Sequence, residues 1–452
     1  MFSVKSIVAF GSFCLLFTSL LNVDAGHLPG SGAAGNVELV GSVDPGDAAD
    51  LMGDVTVSPD GNWAFVASLG DQTCTRQKNN AGPGVWIVDI SNPANPQAVN
   101  FISSDQDTRP GDRLQVVAIT TKFFSGWALV VTNAQCGKNG KGGISLFDVT
   151  DPLKAGKLSE HFGATGFNAT SDTQTAFAWD AGDQAYVVIN DGSRPTFFAV
   201  VEITNPMRPR LTGEYDLDEF PNIVQTGPFG LDEISFEGVV VKHIGGQFVM
   251  LISAADAGHV LLNITDPTNA VYISDSDFAA QDPILDTLGI QLPPEGNSHY
   301  AEFSADNRFF IGTDEDLSPF RGTVFDGWGY AHLYSSVNGG KLEQIDVYAI
   351  AEAFNPAFAF GFGNLSVHEV ATHPSIWSKA YLAYNAGGLR ALEIQCESTS
   401  PHDCAFGETG RYLDPQGSDM TGVEVSVKGG QTYILASDRD RGLQIFRDVS
   451  TP

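Results

Sequence analysis

Gly84-Val85-Trp86-Ile87-Val88-Asp89-Ile90-Ser91-Asn92-Pro93 decides the fold, because its pattern returns along the chain: an apolar β-prone run, one polar residue, then a Ser/Thr-x-Pro turn. The same phrase stands at Ile144-Ser145-Leu146-Phe147-Asp148-Val149-Thr150-Asp151-Pro152, at Ala199-Val200-Val201-Glu202-Ile203-Thr204-Asn205-Pro206 and at Val260-Leu261-Leu262-Asn263-Ile264-Thr265-Asp266-Pro267. Weaker copies follow at Arg390-Ala391-Leu392-Glu393-Ile394 and Ile445-Phe446-Arg447-Asp448-Val449-Ser450-Thr451-Pro452. The polar marker therefore falls at Asp89, Asp148, Glu202, Asn263, Glu393 and Asp448, with gaps of 59, 54, 61, 130 and 55 residues. The gap of 130 spans two periods, which places a hidden copy near Ala331-His332-Leu333-Tyr334 and makes seven units.

A repeat of this length with β-rich runs and Gly, Asn, Asp and Pro at the joints predicts an all-β array. The first unit resolves into four strands: Asp54 to Ser58, Trp63 to Ser68, Val85 to Ile90 and Gln97 to Ile102. Counterparts of its second strand recur at Trp127 to Thr132, Ala185 to Ile189, Gln247 to Ser253, Arg308 to Thr313, Lys379 to Tyr384 and Gln431 to Ser437, so this count also gives seven. Val37 to Val43 is a strand with no repeat phrase before it, and the last phrase, ending at Pro452, has no strand after it. The surplus strand at one end fits the deficit at the other. The expectation is a single closed domain over 36–452, a seven-bladed β-propeller of four-stranded blades, whose N-terminal strand completes the last blade.

The phrase Trp86-Ile87-Val88-Asp89-Ile90-Ser91-Asn92-Pro93 resembles the LVIVD-repeat family of secreted and surface-associated β-propellers, and the likeness runs through the chain. That resemblance implies an extracellular propeller and carries little about chemistry.

Residues 1–25 have the form of a secretory signal: Lys5, an apolar stretch from Ile7 to Leu21, and Val23-Asp24-Ala25 before the cleavage point. The apolar run is shorter than the roughly 18 residues a membrane span needs. Residues 26–35, rich in Gly, Ala, Ser and Pro, follow as an expected flexible leader. The net charge of −30 excludes nucleic acid as a partner, because phosphate is held by Lys and Arg. Outside the signal, Cys74, Cys136, Cys396 and Cys404 remain; closeness in sequence pairs Cys396 with Cys404 and Cys74 with Cys136. Sequons at Asn168, Asn263 and Asn364 are expected glycosylation sites in a secreted chain.

Chemistry in a propeller is expected where innermost strands begin, around the channel mouth. Asp54, Glu233, Glu237, His299, Glu302, His368, Glu369 and Glu424 occupy such places. Ser298-His299-Tyr300-Ala301-Glu302 and Val367-His368-Glu369 each pair an imidazole with a carboxylate, so His299, Glu302 and His368 form a candidate set for a divalent metal such as zinc. Alternation along a strand argues against His368 and Glu369 sharing a direction. Asp314-Glu315-Asp316 has a calcium-like acidic turn through Asp314 and Asp316, and Asp438 and Asp440 form a second such turn. Long excursions at Asp216 to Gly230 and Phe278 to Asn297 break the period and are expected to carry function. No Gly-x-Ser-x-Gly or phosphate-loop pattern occurs. The leading expectation is a secreted, glycosylated interaction module for an extracellular protein, glycan or small ligand. Its rivals are a metal-dependent hydrolase or lactonase-like enzyme and an acidic structural matrix component.

Overall fold

A computed structural model describes residues 27–46, 52–70, 82–163, 172–220, 223, 234–336 and 342–450. Among the described residues, seven antiparallel blades follow one another along the chain, six of four strands and one of five, beside a small two-stranded sheet. Their innermost strands are Met52–Val57, Thr108–Thr120, Ala176–Asp180, Gly238–Ile244, Ser298–Phe303, Glu369–Thr372 and Met420–Lys428, which begin blades 1 to 7. Each of these strands touches the next, and the seventh touches the first, so the ring is closed. The hidden copy is present: Ala331–Ser335 is the third strand of blade 5.

Closure is made by the N-terminal segment. Val37–Val43 pairs antiparallel with Gly442–Asp448 as the fourth strand of blade 7, from Val37 opposite Asp448 to Val43 opposite Leu443. One difference from the sequence expectation concerns the leader. Gly32–Gly35 is not a free tether but a fifth strand on blade 6, with Gly32 opposite Leu413 and Gly35 opposite Gly410. Small residues fit there because a backbone carbonyl lies close: a Cβ on Gly35 would stand 2.2 Å from Thr409 O. Asn36 joins the two pairings, donating to Thr409 O at 2.9 Å and accepting from Val449 N at 2.9 Å.

The repeat phrase has a structural cause. Its polar marker ends the third strand and caps the following turn: Asp89 Oδ1 accepts Ser91 N at 2.8 Å, Asp148 Oδ1 accepts Thr150 N at 2.9 Å, Asn263 Oδ1 accepts Thr265 N at 3.0 Å, and Asp448 Oδ1 accepts Ser450 N at 2.9 Å. The Ser/Thr hydroxyl then binds back to the second strand, as when Thr150 Oγ1 accepts Trp127 N at 3.0 Å and Thr265 Oγ1 accepts Phe248 N at 2.9 Å. The apolar run in front packs between neighbouring blades. Val130, Ile144 and Leu146 of blade 2, for example, meet Ala178, Val187 and Ala199 of blade 3.

Strands within a blade are antiparallel, so loops alternate between two faces. Turns that carry the repeat phrase share one face with the hairpins joining first to second strands. The hairpins joining second to third strands, and the connections between blades, share the other. The excursion Phe278 to Asn297 belongs to this second, loop-rich face, whereas most of Asp216 to Gly230 lies outside the described residues. Described parts of them include the helical turn Pro283–Thr287, whose first amides at Ile284 and Leu285 are capped by Asp282 Oδ1 at 2.8 and 2.9 Å.

Candidate metal centre at the channel mouth

The first strand of each blade starts at the loop-rich face and runs toward the plain one. His299 therefore lies near the loop-rich mouth. Glu302, three residues on, lies about 10 Å deeper at the usual rise of a strand. The structure separates the two accordingly. Glu302 accepts the Thr372 amide at 2.5 Å and lines the channel interior. His299 meets His368, their ring centroids 4.5 Å apart. Glu315, rather than the expected Glu302, stands beside the two histidines: His299 Nε2 lies 3.8 Å from Glu315 Oε2, and His368 Nε2 lies 3.7 Å from Glu315 Oε1. One ligand atom from each residue falls within 4.8 Å of the others.

Local backbone explains the convergence. Asn297 has φ 70°, a left-handed conformation that Asn accepts more readily than most residues, and it launches the strand. Pairing then jumps from Ser298 opposite Asp314 to Tyr300 opposite Thr313, leaving His299 in a bulge that aims it at the mouth. Glu315 follows the second strand of blade 5, which ends on the same face. Its own N–H donates to Asn297 O at 3.0 Å, Asp316 N donates to Ser366 Oγ at 2.8 Å, and Ser366 Oγ donates to Asp314 O at 3.2 Å. The segment is thus tied to the chain two residues before each histidine.

Both imidazoles have the same polarity. His299 Nδ1 donates to His368 O at 3.0 Å, and His368 Nδ1 donates to Thr421 O at 2.7 Å. With each Nδ1–H spent on a backbone carbonyl, Nε2 is the ring atom turned toward Glu315, where a metal ion would take the place of its proton; such outer-shell bonds orient metal-binding histidines. Two ligands about 2.1 Å from a tetrahedral ion stand about 3.4 Å apart. Gaps of 3.7 and 3.8 Å are too long for direct hydrogen bonds and close to what an intervening ion requires. Burial alone would lower the His368 imidazole, but Glu315 and Glu369 hold it up at about 9. Burial would raise the Glu315 carboxyl, and His368 and His299 outweigh it.

Below the mouth the channel is plugged. Arg113 of blade 2 crosses to Glu369 of blade 6, Nη1 to Oε1 2.9 Å, with its guanidinium 3.5 Å over the Tyr300 ring. His368 and Glu369 are not turned apart as strict alternation implies, because His368 precedes the regular strand; His368 Nδ1 lies 3.6 Å from Glu369 Oε1. Arg113, Tyr300 and three more carboxyls line a cavity of about 100 Å³. Burial pushes Asp54 to about 8, Glu424 to about 8 and Glu302 to about 7. Burial would raise Glu369 too, but Arg113 and His368 hold it below its ordinary value.

The calcium-like turns resolve differently. Asp314 and Asp316 both border a loop cavity, and Asp314 Oδ2 is paired with His332 Nε2 at 2.8 Å. Asp438 is buried and caps its own turn, accepting Asp419 N at 3.0 Å, Asp440 N at 3.0 Å and Arg441 N at 3.1 Å. Cys396 and Cys404 stand in register across blade 6 and are disulfide-bonded, S–S 2.04 Å. Cys136 is disulfide-bonded as well, while Cys74, like Glu233 and Asn168, lies outside the described residues. Asn364 is exposed on the loop-rich face, whereas Asn263 is half-buried in its turn.

Sequence reasoning found both histidines and missed Glu315. The available signal was positional: a carboxylate just past a second strand sits on the same face as the start of a first strand.

The LVIVD repeat family matches residues 81–101. No curated protein matches the chain in sequence. Among solved structures, Chaetomium thermophilum Raptor superposes with a TM-score of 0.52 at 8% identity over 93% of this chain, which spans 29% of the Raptor chain. The β-propeller domain of Myceliophteria thermophila Cps50 (Swd1) gives a TM-score of 0.49 at 9% identity, covering 91% of this chain and 99% of that domain. At such identities the likeness to Raptor concerns the fold alone. With seven blades closed into a ring, the chain is a seven-bladed β-propeller that carries an LVIVD repeat at residues 81–101.

Proposed function

We propose that this is a secreted, glycosylated interaction propeller that engages an extracellular ligand at its loop-rich face through a divalent transition metal held by His299, Glu315 and His368. The observation that carries the reading is the shared polarity of the two imidazoles, each spending its Nδ1–H on a backbone carbonyl and aiming Nε2 at one carboxylate. A nitrogen-rich set of this kind suits zinc better than a hard cation. Three protein ligands leave a coordination position for an oxygen of the bound partner. Secretion is supported by the apolar stretch within residues 1–25 and by the Cys396–Cys404 disulfide. No helix among the described residues is long and apolar enough to cross a membrane.

The same ligand set favours a second reading. Two His and one Glu with one position left open also describe hydrolytic zinc sites, where a metal-bound water becomes the nucleophile. Under that reading the substrate is an ester or lactone presented at the mouth.

The test is zinc titration of chelator-stripped full chain by calorimetry. The expected result is one zinc per chain, with at least a 100-fold loss of affinity in His299→Ala and His368→Ala. Wild type that takes up no zinc would sink both readings. Turnover of aryl esters or lactones that depends on zinc and vanishes in His368→Ala would select the hydrolase over the binding module.

A further inference from the structure

Asp314, Glu315 and Asp316 are consecutive, yet each serves a different place. Asp314 goes to His332 inside blade 5 and Glu315 to the channel mouth. Asp316 faces a pocket beneath the hairpin that joins the second and third strands of the same blade. There the Glu295 carboxyl, from the connection entering blade 5, lies within hydrogen-bonding reach of both Asp316 and Asp326. The three carboxyls share a cavity of about 20 Å³, room for one ion or one water. A single cation borders it: Arg321 Nε is 2.9 Å from Asp326 Oδ2, and Nη2 is 3.8 Å from Glu295 Oε2. Three carboxyls facing one guanidinium leave more acids than bases in a space that solvent reaches poorly.

Two further atoms face this cavity. Asp326 and Trp328 are each 6% exposed, and among the described residues Asp326 Oδ1 and Trp328 Nε1 have no hydrogen-bond partner. A buried acceptor and a buried donor left unmade are each costly. A cation answers the carboxylate oxygen, and a water on that cation answers the indole N–H. The other acids in the wall are already engaged, Asp282 by the helical turn and by Tyr330 Oη at 2.8 Å, and Asp314 by His332.

We infer that Glu295, Asp316 and Asp326 bind one hard divalent cation of the calcium class, distinct from the transition metal at the mouth. An all-oxygen donor set selects calcium over zinc. The confined cavity selects it over magnesium, which keeps several waters in a near-ideal octahedron. The cation ties the connection entering blade 5 to the hairpin at 317–330. That hairpin carries Phe320, stacked 5.2 Å from Phe360, a residue 76% exposed.

Full-length protein freed of metal is titrated with calcium, with magnesium, and with terbium excited through Trp328. Expected are a rise of a few degrees in Tm with calcium, sensitised terbium emission that calcium displaces, and displacement by magnesium only at ten-fold or higher concentration. Asp326→Asn and Glu295→Gln should each weaken calcium at least ten-fold, while His368→Ala loses zinc and keeps calcium. Trp328→Phe, which spares the carboxylates, should lose most of the emission and keep the calcium-dependent Tm. An Asp326→Asn protein with wild-type calcium affinity overturns the site. If that variant does not fold, a wild type whose Tm ignores calcium and whose terbium emission calcium cannot displace overturns it equally.

Discussion

His368 shows how one side chain links the mouth to the interior. Its Nε2 faces Glu315, its carbonyl accepts from His299 and Thr313, and the next residue, Glu369, holds Arg113 across the channel. Arg113 is the counter-charge for an acidic interior, and a buried ion pair broken from one side leaves the other charge exposed to low dielectric. Arg113→Met is therefore expected to lower stability by about 3 kcal/mol or more in denaturant melts. Arg113→Lys should recover only part of that loss, since an ammonium lacks the flat contact with Tyr300. The interior also fixes a pH response. Asp54, Glu302 and Glu424 have folded values raised to about 8, 7 and 8, so the folded state holds protons that the unfolded chain has released. Their contribution is complete below the ordinary carboxyl range and is lost as pH rises through about 8. Tm should fall between pH 5 and about 9, and Glu424→Gln should flatten that slope; a Tm flat over this range would contradict it. Glu302→Gln should leave zinc binding intact, which separates Glu302 from the histidines it was expected to join.

At the scale of the element, the repeated phrase is a turn device, and its conservation of form along the chain has no functional content. Asp89, Asp148 and Asp448 each satisfy an amide at the corner between third and fourth strands. Replacing Asp89 or Asp148 by Ala should cost about 1 kcal/mol, a typical net value for one hydrogen bond, and should leave metal binding unchanged. Asp448 also accepts Lys379 Nζ at 2.7 Å and Tyr381 Oη at 2.7 Å from blade 6, so Asp448→Ala should cost several times more. Chemical denaturation of the three variants checks the ranking. The strands were legible because short apolar runs of β-branched and aromatic residues bounded by Gly, Asn, Asp and Pro leave few alternatives, and the second-strand series falls where it was expected. What escaped was the bulge. A one-residue slip at His299 and the start of the regular strand after His368 redirect side chains, and no residue type at those positions announces either. Glu315 escaped for a related reason: it stood in an acidic run that suggests calcium, and its partners stand at the first strands of its own blade and of the next, which meet it only once blades 5 and 6 pack together.

The whole molecule is a ring of seven sheets in which each blade rests on two neighbours, so stability depends on the last contact being made. Surplus and missing strands at the two ends made closure legible from the sequence, because every other blade carried its own fourth strand. The further role of the leader was not legible. Four residues of Gly and Ala offer no apolar periodicity, and only their backbone pairs with blade 6. The segment from Gly32 to Val43 consequently spans two blades, as fifth strand of one and fourth strand of the other. Val37 is 3% exposed and packs with Tyr381, Ala391 and Phe446, which draws both blades into one apolar cluster. Burying one such side chain contributes about 1.5–3 kcal/mol, and the strand adds its ladder of hydrogen bonds. Blades 6 and 7 also supply His368 and the Thr421 carbonyl that orients it. Removing residues 27–43 while retaining a signal should therefore lower Tm by well over 5 °C and weaken zinc at the mouth, with amide exchange accelerating first in Gly442–Asp448. Removing residues 27–35 alone should spare blade 7 and accelerate exchange only along Cys404–Leu413. Equal exchange profiles for the two truncations would mean that the segment acts as one strand, and the division of labour between its halves would have to be abandoned.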